Sequence, residues 1–159
     1  MEWPAEFYAM RDGTGCPLCA KSGTDDTGFG LRFLEGRVSS AYLQRAAIQP
    51  GYTVVVWSGR HVAEPTELTE AEAAAYGADI LAAARALEAH FRPVKMNYQT
   101  LGNSVPHLHT HIIPRYADDP KPGWPFPFPE TDPERIPEDR FLADVAALRE
   151  LTARHIPDA

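Results

Sequence analysis

Five short segments of the chain carry the β-branched, aromatic and apolar residues that are typical of strands. The most apolar segment, residues 52–57, reads Tyr-Thr-Val-Val-Val-Trp and follows a Pro-Gly pair, so it predicts a central strand. Segments of the same kind lie at residues 30–35, 38–43, 94–99 and 107–114. Segments 30–35 and 38–43 are joined by Glu-Gly-Arg, which predicts a reversal of the chain between them. This pattern predicts an antiparallel sheet of five strands.

A long helix interrupts the strand pattern between residues 69 and 91. Thr69 and Glu72 have the spacing of a capping box, in which each side chain bonds the backbone amide of the other residue. An Arg-Pro pair then ends the helix, because the residue before a proline avoids the helical conformation. A short helix at about residues 3–10 and a last helix at about residues 138–155 complete an α+β domain. The face of the long helix that packs on the sheet is predicted from apolar residues at helical spacing, namely Tyr76, Ile80, Ala84, Leu87 and Phe91.

Residues 117–137 differ in composition from the rest of the chain. They contain seven of the 15 prolines, interleaved with Trp124, Phe126 and Phe128. Because proline fixes φ and removes a backbone donor, this segment is predicted to be extended and non-helical. It is expected to form a strap that packs either on its own domain or on a partner subunit. The alternative is that Trp124 stacks on a base or covers an active site.

The length and composition are typical of one globular domain. The chain has 159 residues, of which 44% are hydrophobic and 23% are charged, enough for a sizeable core. Its formal net charge of −7 argues against binding a nucleic acid polymer, which requires a basic surface. No apolar stretch is long enough to span a bilayer, and the N-terminus lacks the basic and apolar regions of a signal peptide. We therefore expect a cytoplasmic protein without a membrane partner.

Three histidines, His107, His109 and His111, lie two residues apart and are followed by apolar residues. On a strand, side chains at this spacing project from one face, about 7 Å from each other. On a helix, positions i and i+2 lie far apart around the axis, so the spacing predicts a strand. Imidazole can act as a nucleophile, acid, base or metal ligand, and the row therefore predicts a functional site. The alternative is a solvated strand face that happens to be rich in histidine.

The sequence His-Leu-His-Thr-His-Ile-Ile at residues 107–113 resembles the signature of the histidine triad (HIT) superfamily of nucleotide hydrolases and transferases. That signature alternates three histidines with apolar residues, and only Thr110 departs from it. Residues 51–61 resemble the family's central strand, residues 67–69 its helix entry, and Asn97 with residues 102–104 its phosphate-contacting loop. The resemblance covers roughly residues 16–116. It implies the HIT fold, with a catalytic domain at residues 1–116, the strap at 117–137 and a terminal helix within 138–159 packed on the same domain.

The resemblance also implies a covalent mechanism at the triad. His109 would attack the α-phosphorus of a nucleotide, form a nucleotidyl-imidazole and expel a phosphate, polyphosphate or amine. His111 would contact the phosphate or protonate the leaving group. The backbone carbonyl of His107 would accept the other N–H of His109 and so keep the attacking nitrogen free.

The same resemblance implies a set of substrate contacts. Asn103, Ser104 and the backbone around Gly102 would donate hydrogen bonds to the phosphoryl oxygens, with asparagine where most family members have glutamine. Asn97 would contact the phosphate or the edge of the ribose. Gln44 stands where the family usually has an acidic residue for the ribose hydroxyls. The alternative for both asparagines is ordinary polarity at a turn and at a strand end.

Cys16 and Cys19 are the two cysteines of the chain, and their Cys-x-x-Cys spacing is typical of half a metal site or of a redox pair. Some bacterial HIT proteins and the related uridylyltransferases bind zinc with such a pair and two histidines. By that resemblance the ligands would be Cys16, Cys19, His61 and His107, a complete tetrahedral set for structural zinc. The alternatives are a redox pair or free thiols for the cysteines, and a phosphate-facing or capping role for His61.

These observations favour a HIT-type hydrolase of adenine nucleotides. In phosphorylase and uridylyltransferase relatives the third position of the triad tends to be glutamine, whereas His111 favours transfer to water. The preferred substrates are dinucleoside polyphosphates such as diadenosine tetraphosphate, and the second candidate substrates are adenylated amines. Two rival functions are a zinc enzyme with all three triad histidines as ligands, and a nucleotide-binding or sensing protein with little turnover. Because family members are commonly homodimers, a homodimer is expected.

Overall fold

The computed structural model describes residues 2–154, and within them it contains five strands and four α-helices. The strands are β1 (Gly30–Glu35), β2 (Ser39–Gln44), β3 (Thr53–Trp57), β4 (Lys95–Gln99) and β5 (His109–Arg115). The helices are α1 (Ala5–Arg11), α2 (Pro17–Ala20), α3 (Glu70–Phe91) and α4 (Glu138–Ala153), with a 3-10 turn at Pro65–Glu67. Over residues 2–154, none of the helices has the length and apolarity needed to cross a membrane.

The five strands form one antiparallel sheet in the order β1-β2-β3-β5-β4. The predicted α+β class and the predicted five-stranded antiparallel sheet are therefore confirmed. Strand β3 lies in the middle of this order, and four of its five residues are buried. Val55 and Trp57 of β3 are in the core, whereas Val54 and Val56 line a cavity with largely apolar walls, so both faces of the strand carry apolar residues.

The predicted strand over residues 107–114 was wrong at its beginning, because β5 starts at His109. The N–H of His107 instead bonds the carbonyl of Val105 at 2.8 Å, which closes a turn around Pro106. Leu108 then donates to Val62 at 2.7 Å and enters the sheet region. His107 therefore lies before the strand, and the three histidines do not form one continuous row.

Alternate residues of the central strands face opposite sides of the sheet, as strand geometry requires. Leu43, Val55 and Ile112 belong to the buried core that also contains α3 and α4 side chains. Val54 and His111 are paired across β3 and β5, and both line a cavity on the other face. The sheet thus separates a dry core from a face that carries polar side chains.

Helix α3 begins as the capping box predicts. The Thr69 hydroxyl accepts the amide of Glu72, and the Glu72 carboxylate accepts the amide of Thr69 at 2.9 Å. Tyr76, Ala84 and Leu87 of the predicted face are buried. Ile80 and Phe91 of the same face are partly buried against the core.

Asp79 is buried on α3, although no pattern in the sequence indicated this. Its carboxylate accepts the backbone amides of Arg37 and Val38 and the hydroxyl of Ser39, at 2.8 to 3.0 Å. A Cβ atom on Gly36 would lie 2.3 Å from the Asp79 carboxyl carbon, so only glycine fits this close approach. The β1–β2 turn is therefore fixed to the helix by charge-assisted hydrogen bonds.

Helix α4 packs on the same core through Phe141, Val145 and Leu148. Its last residue is Ala153, and the predicted end at His155 lies outside the described residues.

Residues 117–137, which we call the Pro-rich segment, contain no helix or strand, as predicted. The segment is held by Arg115 at the end of β5, whose side chain is buried with 6% exposure. The Arg115 guanidinium donates to the carbonyls of Trp124 and Lys121 at 2.9 and 3.1 Å, and it pairs with Asp119. The segment therefore packs on its own domain. Trp124 is 72% exposed and lines a cavity with β4 residues, and it does not line the cavity that carries His109 and His111.

Candidate functional site

A cavity of about 400 Å³ lies over the face of the sheet that carries His109 and His111. Phe29, Val54 and Leu101 are among the residues that make its walls largely apolar. Within residues 2–154, no lysine, arginine, aspartate or glutamate lines it. An anionic ligand in this cavity would therefore be held by neutral donors and not by formal charges.

His109 is held in one tautomer by the backbone. Its Nδ1 lies 2.6 Å from the carbonyl oxygen of His107, and because a carbonyl can only accept, Nδ1 carries the proton. The lone pair is then on Nε2, which has no hydrogen-bond partner among the described residues. Burial lowers the pKa of His109 below its ordinary value, against the opposing effect of the His107 carbonyl. The ring is therefore neutral at neutral pH, with one nitrogen free to attack an electrophile.

His111 is the next side chain on the same face, with its ring centroid 4.9 Å from that of His109. The Tyr52 hydroxyl lies 2.6 Å from its Nδ1. The pKa of His111 is lowered to about 4. Burial is the larger cause, and the charge of His109 is the smaller one. Two neutral imidazoles therefore lie side by side in the cavity.

Four other side chains bring potential metal-ligand atoms within 4.8 Å of one another. They belong to Cys16, Cys19, His61 and His107, and we call them the metal cluster. The Cys19 sulfur is 3.2 Å from Nδ1 of His61 and 3.4 Å from Nδ1 of His107. The Cys16 sulfur is 3.5 Å from Nδ1 of His107. A tetrahedral site with ordinary zinc–sulfur and zinc–nitrogen lengths requires about 3.6 Å between sulfur and nitrogen. The four predicted ligands are thus close to the spacing that a metal ion needs.

The outer nitrogens of the two cluster histidines are also arranged as metal ligation requires. Nε2 of His107 lies 2.9 Å from the carbonyl of Trp57, and Nε2 of His61 lies 3.0 Å from the carbonyl of Arg11. Both carbonyls accept, so both Nδ1 atoms carry a lone pair and face the sulfurs. Gly13 permits this approach, because a Cβ there would come within 3.3 Å of the His61 ring.

The thiols complete the donor set. Both cysteines are free, with Cys16 buried and Cys19 partly buried. Burial, the hydrogen bond between the Cys19 thiol and Cys16, and the charge of Cys16 raise the pKa of the Cys19 thiol to about 11. A bound cation reverses this preference, because coordinated thiols lose their protons. Two sulfurs and two imidazoles form a set that can hold a metal ion, and this chemistry fits a structural site.

Comparison with known proteins identifies the family. The HIT domain model matches residues 32–118, which is more than half of the chain. The chain belongs to the HIT domain family. A histidine triad protein from Marinobacter aquaeolei VT8 has 25% identity and a TM-score of 0.71, over 81% of this chain and 93% of that one. A histidine triad protein from Bradyrhizobium japonicum has 26% identity and a TM-score of 0.67, over 79% and 92%.

A curated relative, Protein hit of Bacillus subtilis, is 33% identical over 82 residues. That match takes in 48% of this chain and 56% of the relative, so it spans little more than half of that protein's length. Membership of the HIT family supports a nucleotide-binding or hydrolase-type function, and the fold of this chain is the HIT fold.

The HIT structure brings most of the predicted site residues to the cavity. Gly102, Asn103 and Ser104 line it together with His109 and His111. Gln44 lines it from β2, and its side-chain amide also donates to the Tyr42 carbonyl at 3.0 Å. The ring of His107 belongs to the metal cluster, whereas the backbone carbonyl of His107 accepts the hydrogen bond from His109.

Asn97 is not brought to the histidines. It lies on β4, and its side-chain oxygen accepts a hydrogen bond of 2.6 Å from the Arg115 guanidinium. Asn97 is the middle residue of β4 and not a residue at its end, and there it helps to hold Arg115, which contacts the Pro-rich segment.

Tyr52 is the site residue that the sequence analysis missed. It lies one residue before β3 and two before Val54, which is paired with His111 across the sheet. The alternation of strand side chains, applied to the β3–β5 pairing, places Tyr52 on the histidine face. The pairing itself could not be inferred from the sequence.

Zinc analysis of the purified protein tests the metal cluster. Prepared without chelators, the chain should contain about one zinc ion, and Cys16→Ser or Cys19→Ser should lose it because half of the thiolate pair is gone. His111→Asn is the matched control and should retain the ion, since His111 lies outside the cluster. Metal-free wild-type protein, or equal metal in the cysteine variants, would contradict the assignment.

An NMR titration tests the environment of His111. Its ring should stay neutral from neutral pH down to about pH 4. The unfolded chain protonates this histidine near the ordinary pKa of 6.5, so it binds more protons than the folded chain between these values. The free energy of unfolding should therefore fall as the pH is lowered from about 6.5 towards 4. A midpoint for the His111 ring carbons near 6.5 would contradict the burial argument.

Proposed function

We propose that this protein is a HIT-type hydrolase that cleaves adenine nucleotides at the α-phosphate through a covalent nucleotidyl-His109. One observation carries the proposal, namely the 2.6 Å bond from His109 Nδ1 to the His107 carbonyl. It leaves Nε2 of His109 as an unprotonated nitrogen on the wall of a cavity. A partly buried, neutral imidazole with a fixed tautomer is the form that nucleophilic catalysis needs.

The proposed reaction has two displacements at phosphorus. In the first, the Nε2 lone pair forms a bond to the α-phosphorus while the bond to the leaving oxygen or nitrogen breaks. An amine leaving group must gain a proton at this step. His111 is placed to give its Nε2 proton to the leaving nitrogen, while its Nδ1 takes the proton of the Tyr52 hydroxyl 2.6 Å away, so the imidazole stays neutral and Tyr52 becomes a phenolate. In the second, the water oxygen bonds to phosphorus and the bond to His109 breaks to release the nucleoside monophosphate. After an amine has left, the water proton goes to Nε2 of His111 while Nδ1 returns a proton to the Tyr52 phenolate; after a polyphosphate has left, the water proton goes to solvent.

The cavity supports the assignment of binding roles. Its apolar walls suit a nucleoside base, while Asn103, Ser104 and the Gly102 backbone offer neutral donors for phosphoryl oxygens. Gln44, which also lines the cavity, is proposed to meet the ribose hydroxyls. These contacts belong to the nucleotidyl half, which dinucleoside polyphosphates and adenylated amines share.

Among leaving groups, we propose dinucleoside polyphosphates such as diadenosine tetraphosphate as the preferred substrates, with adenylated amines as the second candidate. The free mouth of the cavity suits a long polyphosphate, whereas the neighbouring donor His111 suits an amine that must be protonated. A nucleotide sensor with little turnover is the third candidate. The unprotonated Nε2 of His109 on the cavity wall argues against it, because a sensor needs no nucleophile.

We propose that zinc occupies the Cys16, Cys19, His61 and His107 cluster in a structural role. The metal would attach the N-terminal segment to the sheet, with no open position for substrate. The proposal of a cytoplasmic protein agrees with thiols that stay reduced for this purpose. We further propose that residues 1–116 form the catalytic domain, 117–137 the strap and 138–159 a helical end on the same domain.

We also propose a homodimer that continues the sheet through β4. In the described residues β4 pairs with β5 alone, which leaves its other edge open. Val94, Tyr98 and Trp124 are 71%, 46% and 72% exposed beside this edge. An open strand edge with exposed apolar side chains is a ready partner for another strand.

Sedimentation tests the dimer. The protein should have twice the chain mass, and Tyr98→Asp should shift it towards the single-chain mass because charge is placed at the edge. Leu142→Asp, at an exposed position of α4, is the matched control and should leave the mass unchanged. A wild-type protein that sediments as a single chain at all concentrations would contradict the dimer.

A substrate panel tests the enzymatic proposal. Diadenosine tetraphosphate and an adenylated lysine should be hydrolysed by the wild type, and His109→Ala should lose about 1,000-fold or more of this activity because the nucleophile is absent. His90→Ala is the control, since His90 pairs with Asp144 at 2.7 Å and does not line the cavity.

The panel also separates the candidate functions. Equal turnover by His109→Ala would rule out the nucleophile. Tight binding of AMP without turnover of either substrate would favour the sensor.

A further inference from the structure

We propose that Tyr52 and Phe128 are positioning residues for His111, so that its Nε2–H points its proton at the leaving group. The proposal rests on the proposed hydrolase function and adds residues from two segments outside the triad. Tyr52 precedes β3, and Phe128 comes from the Pro-rich segment.

The first contact is between Tyr52 and the inner nitrogen of His111. The Tyr52 oxygen lies 2.6 Å from Nδ1, and the two rings are parallel within 5° with centroids 5.9 Å apart. Among the described residues the Tyr52 hydroxyl has this nitrogen as its one hydrogen-bond partner. If Nδ1 carried a proton, the hydroxyl proton would have no protein acceptor. Tyr52 therefore donates to Nδ1, and the neutral ring carries its proton on Nε2.

Burial keeps both members of this pair in the required state. It raises the pKa of Tyr52 to about 12, so the phenol remains a donor. Nε2 of His111 has no hydrogen-bond partner within residues 2–154, so its proton is available to a ligand. When that proton passes to the leaving atom, the Tyr52 hydroxyl proton moves to Nδ1, so the ring stays neutral and the negative charge rests on the Tyr52 oxygen. The inverted tautomer would present a lone pair to the leaving atom and could not protonate it.

The second contact comes from Phe128, which closes the other side of the pair. Its ring centroid is 5.9 Å from that of His111 and 6.2 Å from that of Tyr52, both edge-to-face. Tyr52 beneath it is only 7% exposed, and the Phe128 ring forms part of the cover over the hydrogen-bonded pair. A hydrogen bond between buried groups is stronger than the same bond in water, which favours the Tyr52 hydroxyl as the partner of Nδ1.

The placement of Phe128 is fixed by a chain of contacts from β5. Phe126 packs edge-to-face on Phe128 at 5.8 Å, and the Arg115 guanidinium lies 5.5 Å over the Phe126 ring. Arg115 also bonds the carbonyl of Trp124 at 2.9 Å. Because Arg115 and His111 lie on one strand, β5 itself holds the segment that covers its histidine.

An NMR experiment on uniformly ¹⁵N-labelled full-length protein reads the tautomer directly. In the wild type, Nδ1 of His111 should have the shift of an unprotonated nitrogen and Nε2 that of a protonated one. Tyr52→Phe should give a mixture, because the deciding donor is gone while the ring packing is kept. Tyr98→Phe, the removal of a hydroxyl from an exposed β4 tyrosine, is the matched control and should change nothing.

Kinetics with two leaving groups give the second readout. With an adenylated amine, Tyr52→Phe should lower kcat by about tenfold or more and change KM little, because proton donation is lost but nucleotide contacts remain. With the p-nitrophenyl ester of AMP, whose leaving group needs no proton, the loss should be markedly smaller. Phe128→Leu should show an intermediate loss with the amine.

The outcomes separate this inference from the hydrolase proposal. An unchanged His111 tautomer in Tyr52→Phe, or equal losses with both leaving groups, would overturn the positioning role. If neither substrate is turned over by the wild type but the tautomer changes in Tyr52→Phe, the hydrolase proposal fails and the Tyr52–His111 assignment stands.

Discussion

The hydrogen bond from His109 Nδ1 to the His107 carbonyl is the contact on which the rest of the site depends. At 2.6 Å it fixes both the tautomer and the direction of the candidate nucleophile. The carbonyl can do this because the His107 ring is itself held, by the Trp57 carbonyl on one side and the cysteines on the other. One residue thus joins the metal cluster to the nucleophile. A metal at the cluster would stabilise the backbone that orients His109 and take no part in the chemistry.

The second constraint is charge. The chain has a net charge of −7, its proposed ligand is anionic, and no charged side chain of the described residues lines the cavity. Arg115 and Arg45, which could have supplied positive charge, are used to hold the Pro-rich segment and to pair with Asp26. The proposed recognition would therefore depend on neutral amide, hydroxyl and imidazole donors in a largely apolar cavity. The same burial that keeps water out lowers the pKa of His109 and His111 and so keeps both rings uncharged at neutral pH.

Much of this could be predicted from local sequence patterns. The apolar segment at residues 52–57, the capping box at Thr69 and the spacing of the histidines each report local geometry, and the strands, α3 and the two candidate catalytic histidines follow from them. Features that depend on contacts distant in sequence could not be predicted. In the sequence Asp79 is an ordinary polar residue of a helix, because nothing near it shows that the β1–β2 turn packs against its side chain. The position of Asn97 along the sequence suggested a phosphate contact, but the β4–β5 pairing places its side chain against Arg115. His107 fitted the strand period, yet the turn after Val105 takes it out of the sheet.

The covalent intermediate is the central claim, and its direct detection is the most decisive measurement. Wild-type protein mixed with diadenosine tetraphosphate or an adenylated lysine, stopped within one turnover in alkaline denaturant, should carry an AMP adduct on the peptide that contains His109. Localisation by fragmentation should place the added mass on His109 itself, and His109→Ala should carry none. Turnover of substrate with no adduct at any time, or an adduct on a different residue, would contradict the account.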